Sequence, residues 1–356
     1  MPTINLAIAG IGNNIAALLQ GVYLYREQYT ANKSETLPGI KRFAIGPYRV
    51  FDLNFVAAFD VNVNKIGKPL NEAIFISPNN YPHLAVTVPL QVPVSAGPVL
   101  DGLSAPLIER CHPHSLSITA EQVTHELVRS KADILLYSLP TGAPLAAEFY
   151  ARCALNAGVG FVNCTPEKIA RNLPLLEEFK KKHLPLIGDD LASHMGSSIV
   201  HRTLLQLFAD RGITLKNSYQ LNLGGNTDFR NLQQRGQSKM DTKKSALSSP
   251  NLDTSKVEVI PSAGFISSLE DTKVGIMHFE GLGWGGTPVH LDVTLKVQDS
   301  SNAAGIIIDL IRIAAVAKDK KIGGFIEGAD YLLKSSPSEN CERSLNALDS
   351  LVESFV

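Results

Sequence analysis

The run Ile4-Asn-Leu-Ala-Ile-Ala9, followed at once by Gly10-Ile-Gly-Asn-Asn14, constrains this chain more than any other feature. A short apolar stretch, a glycine turn and then apolar positions at Leu18, Leu19, Val22 and Leu24 predict strand, tight turn and helix. Gly10 permits the turn. Gly12 lets the backbone approach a pyrophosphate, which would sit at a helix N-terminus, with Asn13 and Asn14 adding polar contacts. A Gly-x-Gly pair also closes ordinary turns, so the second strand matters. Phe55-Val-Ala-Ala-Phe59 ends in Asp60, followed by Val61 and Asn62. An acid at that strand tip is placed for the ribose hydroxyls of NAD rather than the 2'-phosphate of NADP. Asp60 lies fifty residues beyond Gly10, where about twenty is usual, so residues 26–50 are expected to be an insertion or an extended connection.

Further apolar segments fit the same sheet. Asp133-Ile-Leu-Leu-Tyr-Ser138, Gly160-Phe-Val-Asn-Cys-Thr165 and Leu184-Pro-Leu-Ile-Gly-Asp-Asp190 alternate with helical stretches, one of them over 146–156 and closed by Gly158. That alternation predicts an α/β, Rossmann-type, doubly wound parallel sheet. Ligands of such sheets collect at the carboxyl ends of the strands. Asp60, Asn62, Ser138, Leu139, Gly142, Asn163, Thr165, Asp189 and Asp190 are therefore candidates for one cleft, and solvated loops are the alternative for each. Ser193, Gly196, Ser197 and Ser198 precede a helix predicted over 199–209, which makes either an anion site or an ordinary N-cap.

Beyond residue 196 the pattern changes. Tyr219, Leu221 and Leu223 fall on one strand face, and 257–260, 274–279 and 289–297 read as antiparallel strands. An inserted α+β, sheet-rich catalytic and oligomerisation domain is expected over 196–310. The dinucleotide-binding domain over 1–195 is then completed by 311–356. A helix over 303–318, apolar on most faces, should be deeply buried.

The 33 basic and 34 acidic residues nearly cancel, which leaves no electrostatic footprint for nucleic acid. Cys111, Cys153, Cys164 and Cys341 form no Cys-x-x-Cys pair, so neither a disulfide framework nor a cysteine-rich zinc site is expected. No signal peptide and no run of membrane-spanning length is expected, and the cytoplasm is the default compartment.

Lys239 and Lys243 are four apart and would share a helix face; Lys273 follows Asp271 at a strand entry; Lys318 closes the apolar helix. Each alone reads as a solvated surface group. Beside a dinucleotide they point to phosphate binding and to stabilisation of an alkoxide or enolate. Six segments together resemble the myo-inositol-1-phosphate synthases, also called inositol-3-phosphate synthases, in their shorter prokaryotic branch. They are Gly10 to Asn14, Phe55 to Asp60, Gly188-Asp-Asp190, Asn222-Leu-Gly-Gly-Asn-Thr-Asp-Phe-Arg-Asn231, Ser238-Lys239 with Lys243, and Asp299-Ser-Ser-Asn-Ala-Ala-Gly-Ile-Ile-Ile-Asp309.

The resemblance implies a redox-neutral cyclisation of glucose 6-phosphate to 1D-myo-inositol 3-phosphate. C5 is oxidised with NAD, C6 is deprotonated, the enolate closes on the C1 aldehyde, and the C5 ketone is reduced again. It implies Lys239 and Lys273 as central catalytic lysines and Lys243 and Lys318 as phosphate and substrate binders. Asp271 and Asp299 would orient the lysines or the nicotinamide. Asn226 and Asp228 would form the polar floor, and Ser193, Gly196, Ser197 and Ser198 the phosphate loop. It further implies a homotetramer built through the second domain, and it leaves open a monovalent or divalent cation. The family's common Asp-Asp-Ile-Lys-Ser-Gln stands here as Asp189-Asp-Leu-Ala-Ser-His194, and Met240-Asp-Thr242 replaces the usual residues before the second lysine. Alternatives are thus a cyclase for a related sugar phosphate, a plain NAD-dependent sugar-phosphate dehydrogenase, or a non-catalytic sensor.

Asp60 generates the first prediction. The protein should bind NAD much more tightly than NADP in calorimetry; equal or reversed affinity would remove the carboxylate from the ribose site.

Overall fold

The computed structural model describes residues 2–235, 237–247, 254–337 and 344–355. Its first unit runs β1 (Ile4–Ala9), α1 (Asn13–Asn32), β2 (Leu53–Asp60), β3 (Val94–Ala96), α2 (Ala120–Arg129), β4 (Ile134–Tyr137), α3 (Pro144–Ala157), β5 (Gly160–Asn163) and β6 (Leu186–Ile187). All six strands pair in parallel, in the order β3-β2-β1-β4-β5-β6. This is the Rossmann order, with the switch point between β1 and β4. The side-chain period of two puts Leu6 and Ile8 into one core with Ile15 and Leu19 of α1. Ala7 and Ala9 face the opposite core with Val123, Leu127 and Ala151. Helices therefore cover both faces.

The second unit runs α4 (Ser197–Asp210), β7 (Thr214–Gly224), α5 (Thr227–Leu232), α6 (Gln237–Leu247), β8 (Val257–Phe265), β9 (Thr272–Leu282) and β10 (Pro288–Gln298). The strand order is β8-β7-β9-β10. The sheet is mixed rather than antiparallel throughout: β8 pairs parallel with β7. Between them the chain crosses over through α5 and α6, and a crossover of that kind returns a strand in the same direction. A small core of Leu205, Phe208, Met277 and Phe279 joins α4 to this sheet. Along β7 the buried positions are polar: Ser218, Gln220 and Asn222 are essentially inaccessible, whereas Tyr219, Leu221 and Leu223 are exposed or half-buried.

α7 (Asp299–Asp319) follows directly and packs mainly into the first unit, against α1 and beneath β4 and β5. The boundary expected at 310 falls inside this single helix, so we propose Asp299 as the return point to the first domain. Contrary to the sequence expectation, α7 is long and apolar enough to cross a membrane by length and composition. It is instead the central core helix, with 78% of its most apolar window buried.

Residues 26–50 resolve the spacing anomaly at Asp60. α1 continues to Asn32, and a small hairpin pairs Ala44–Ile45 with Tyr48–Arg49. Arg312 of α7, fully buried, anchors this connection. Its guanidinium donates to the carbonyls of Arg42 and Phe43 at 3.0 Å each and pairs with Asp309 at 2.5 Å. Arg312→Met would leave Asp309 and two carbonyls buried with weakened partners. It should lower unfolding free energy by about 3–5 kcal/mol, read from the urea midpoint. A change under about 1 kcal/mol would mean that packing, not this network, holds the connection.

Candidate active site

The cofactor end of the cleft is built from the first strand and its turn. Gly10 has φ +89°, and a Cβ there would lie 2.7 Å from the Ser138 carbonyl oxygen, so the turn and the tip of β4 touch only because no side chain intervenes. α1 starts at Gly12 with no side-chain cap, which leaves its first N–H groups to a ligand. Asp60 is fixed from two sides: Oδ2 accepts from Ile11 N–H and Oδ1 from Asn62 N–H, both at 2.9 Å. Buried Lys65 lies 3.8 Å from Oδ2. Gly10, Gly12, Asn13, Asn14, Asp60, Ser138, Leu139, Thr165 and Asp190 all line one continuous cleft. These features fit a dinucleotide, with its pyrophosphate at Gly12 and its ribose at Asp60.

Three expected cofactor residues do not line the cleft but support those that do. Asn62 is buried and donates to the Ser77 carbonyl. Asn163 accepts from both the backbone and the hydroxyl of Thr165 and donates to Asp189. Gly142 N–H donates to Glu167. Asn13 turns its amide inward, to Asn80 and to Asp271, rather than leaving it for phosphate.

The other end of the cleft carries the charges. Asp271 is fully buried and accepts from Asn13, Asn226, Gln298 and both the backbone and hydroxyl of Ser300. Burial, then the charge of Asp299, raises its carboxyl above the usual range. Asp299 sits at the first position of α7, where the helix dipole favours an anion. It accepts from Lys273 at 3.3 Å and Asn226 at 3.1 Å. Burial would raise it, but Lys273 and its other partners hold it low. Asp190 meets Lys334 at 2.9 Å, Thr242 at 2.6 Å and Lys239 at 3.5 Å. Burial is outweighed by the two ammonium groups, which bring Asp190 down to about 2.

Lys239 and Lys243 share one helix, as their spacing predicts, yet their environments push them apart. Burial would lower Lys239, but Asp190, Asp228 and Asp299 outweigh it and hold the ammonium above its ordinary range. Lys243, 2% exposed, is held well below that range by burial and then by the charges of Lys273, Lys334 and Lys239. It lines a smaller pocket that adjoins the cleft and is walled by Ser193, Gly196, Ser197, Ser198, Lys273 and Lys334. The hydroxyl of Ser197 is committed to Asn222 at 2.7 Å, so what that residue offers the pocket is backbone. Asn226 and Asp228 line the main cleft as expected.

Lys318 is misplaced by the sequence. It pairs with Asp133 at 2.9 Å at the far end of the core helix and lines neither pocket. The lysine that completes the site is Lys334. Its segment docks on the end of β6, where Lys334 N–H donates to the Asp190 carbonyl and Ser335 exchanges backbone bonds with Asp189. Nothing in the local sequence around Lys334 signals this, because its partner is 144 residues away.

Burial, opposed by Asp190 and reinforced by Lys239 and Lys273, brings Lys334 down to about 8. Lys334→Met should reduce kcat/KM by about 10²–10³, whereas Lys318→Met should stay within about twofold. The KM of a phosphorylated substrate should rise as pH climbs through about 8, because Lys334 is cationic below that value and neutral above it. A flat profile, or equal effects of the two variants, would return Lys334 to a structural role.

Comparison with known proteins gives a consistent picture. A family profile described as myo-inositol-1-phosphate synthase matches residues 196–300. The inositol-3-phosphate synthase of Mycolicibacterium smegmatis is 40% identical over 349 residues, covering 94% of each chain. The crystal structure of a protein called Ari2 is 51% identical, with a TM-score of 0.84 over 99% of both chains. A myo-inositol-1-phosphate synthase-related protein from Thermotoga maritima shares the fold, with a TM-score of 0.80 over 99% of this chain and 98% of that one, at 23% identity. On this likeness along nearly its whole length, the chain belongs to the myo-inositol-1-phosphate synthase family of enzymes.

Proposed function

We propose that this enzyme converts glucose 6-phosphate to 1D-myo-inositol 3-phosphate in the cytoplasm by an NAD-dependent, redox-neutral cyclisation. The observation that carries the reading is a cluster of four lysines, Lys239, Lys243, Lys273 and Lys334, gathered with Asp190 and Asp299 at the end of a dinucleotide-shaped cleft, where Lys239 and Lys243, a helical turn apart, meet opposite environments. Acid–base work at a carbonyl needs a group that stays charged beside one that can take a proton, and divergent environments separate those roles. Lys239 and Lys273, each paired with a carboxylate, present fixed ammonium groups where oxygen becomes negative. Lys243 holds an amine able to accept a proton. Asn226, which donates to both Asp271 and Asp299, holds Asp299, and through it Lys273, in place. Bound NAD supplies the hydride acceptor and donor at C5. The pocket of Ser193, Gly196, Ser197 and Ser198 holds the phosphate.

A related sugar phosphate is the second reading. Ala192, not a lysine, walls the phosphate pocket, and His194 packs against Gly305 rather than facing the cleft. We also propose a homotetramer built through the second sheet. Tyr219 and Ile260 stand exposed on β7 and β8, and Trp284, on the β9–β10 hairpin, is 97% exposed. These offer apolar surface to a second copy.

Incubation with glucose 6-phosphate and NAD, followed by phosphorus and carbon NMR and by absorbance of NADH, tests the reaction. A carbocyclic phosphate should form with no net reduction of NAD. Lys273→Ala should still bind NAD and lose about 10²–10³ in rate. NADH accumulating in step with an open-chain product would make the protein a plain dehydrogenase.

A further inference from the structure

The phosphate pocket holds a residue that neither the motifs nor the proposed chemistry uses. Arg202 lies in the second turn of α4, whose N-terminus at Gly196 has no side-chain cap. It walls the same pocket as Ser193, Ser198, Lys243, Lys273 and Lys334. The wall therefore carries four basic side chains and no carboxylate. Lys273 and Lys334 already have acidic partners, Asp299 and Asp190. Lys243 has no acidic partner within ion-pair distance among the described residues; the nearest acceptor for it is the Gln220 amide oxygen, at 3.3 Å when that amide is turned to satisfy its neighbours. The Arg202 side chain makes no hydrogen bond or ion pair to any described residue.

A half-buried guanidinium with all five donors unspent is costly unless something anionic arrives. Other buried and half-buried guanidinium groups in the described residues do have acceptors: Arg312 has Asp309, Arg42 has Asp309 and Asp349, and Arg26 and Arg235 have backbone carbonyls. Arg202 departs from that pattern only where the wall is otherwise cationic. Burial, partly offset by Tyr331, lowers its affinity for its proton, but a guanidinium stays charged throughout the working range.

We propose that Arg202 is a substrate-binding residue whose guanidinium fork takes the phosphate monoester of the sugar, in the pocket it shares with Lys243 and the N-terminus of its own helix α4. This deepens the reading of the site as a sugar-phosphate cyclase and rests on it for the identity of the sugar. Recognition of the anion itself does not depend on that reading. A planar fork matches two phosphate oxygens at once, which a lysine cannot do. Arg202 would thus set the preference for a terminal phosphate over an uncharged sugar.

The test uses the NAD-loaded enzyme and inorganic phosphate as the probe, titrated by calorimetry, with Arg202→Gln and Arg202→Lys. Wild type should bind phosphate. Arg202→Gln should bind it about 10–100-fold more weakly, and Arg202→Lys about tenfold more weakly, with NAD affinity and thermal midpoint unchanged. With the sugar phosphate, KM should rise by more than kcat falls. Phosphate affinity in either variant within twofold of wild type overturns the proposal, as does a wild type that binds no phosphate. Should Arg202→Gln fail to fold, Arg202→Lys decides alone. If phosphate binding depends on Arg202 while no sugar phosphate is turned over, the cyclase reading fails and Arg202 stands as an anion-binding residue.

Discussion

The buried carboxyl of Asp271 holds the two halves of this molecule in register. It takes hydrogen bonds from Asn13 at the glycine turn, from Asn226 after β7, and from Gln298 and Ser300 at the start of the core helix. Three elements from distant parts of the chain thus meet on one acceptor. Such a group is expensive to bury alone and favourable only when fully satisfied. Its partners are therefore positioned together, and the cofactor turn is tied directly to the strand that carries Lys273.

Around that anchor the site is arranged as alternating charge. Asp190 binds Lys239 and Lys334, and Asp299 binds Lys273. The carboxylates sit on the first unit and at the start of its core helix, whereas Lys239 and Lys273 come from the second. The electrostatic attraction that shapes the cleft is the same one that joins the two units. Lys243 and Arg202 form no ion pair with those acids among the described residues, and they lie on the side where the pocket wall turns wholly basic. Basic groups thus pass from paired to unpaired across the site toward the place where an anion would enter.

Much of this was legible in the sequence where a residue's role is local. Gly10 is needed because the backbone turns with positive φ and the neighbouring strand leaves no room for a side chain. The alternation of strand and helix fixes a parallel sheet. Lys239 and Lys243 are one turn apart in any helix. What stayed hidden depends on contacts between distant segments. Lys318 and Lys334 look equally plausible in the chain, and only the docking of the second beside Asp190 tells them apart. The parallel pairing of Val257–Phe265 depends on a crossover whose direction no single strand records. The alternation along Thr214–Gly224 identifies a strand but points to the wrong face, because the covered side is the polar one serving His201, Ser197 and Lys243.

The place of Lys334 in the chain has a consequence for biosynthesis. Domains fold broadly in the order in which they emerge. The glycine turn, Asp60 and the strand tips emerge first, but the core helix that completes their domain emerges only after the second sheet. Lys239, Lys243 and Lys273 follow with the second sheet. Lys334 arrives after the core helix, and until it docks Asp190 has only Lys239 and Thr242 for company. A growing chain would therefore complete its dinucleotide cradle with the core helix, and only afterwards its full set of reactive cations. A nascent or clipped form lacking the last segment would hold a nucleotide without the means to act on a sugar.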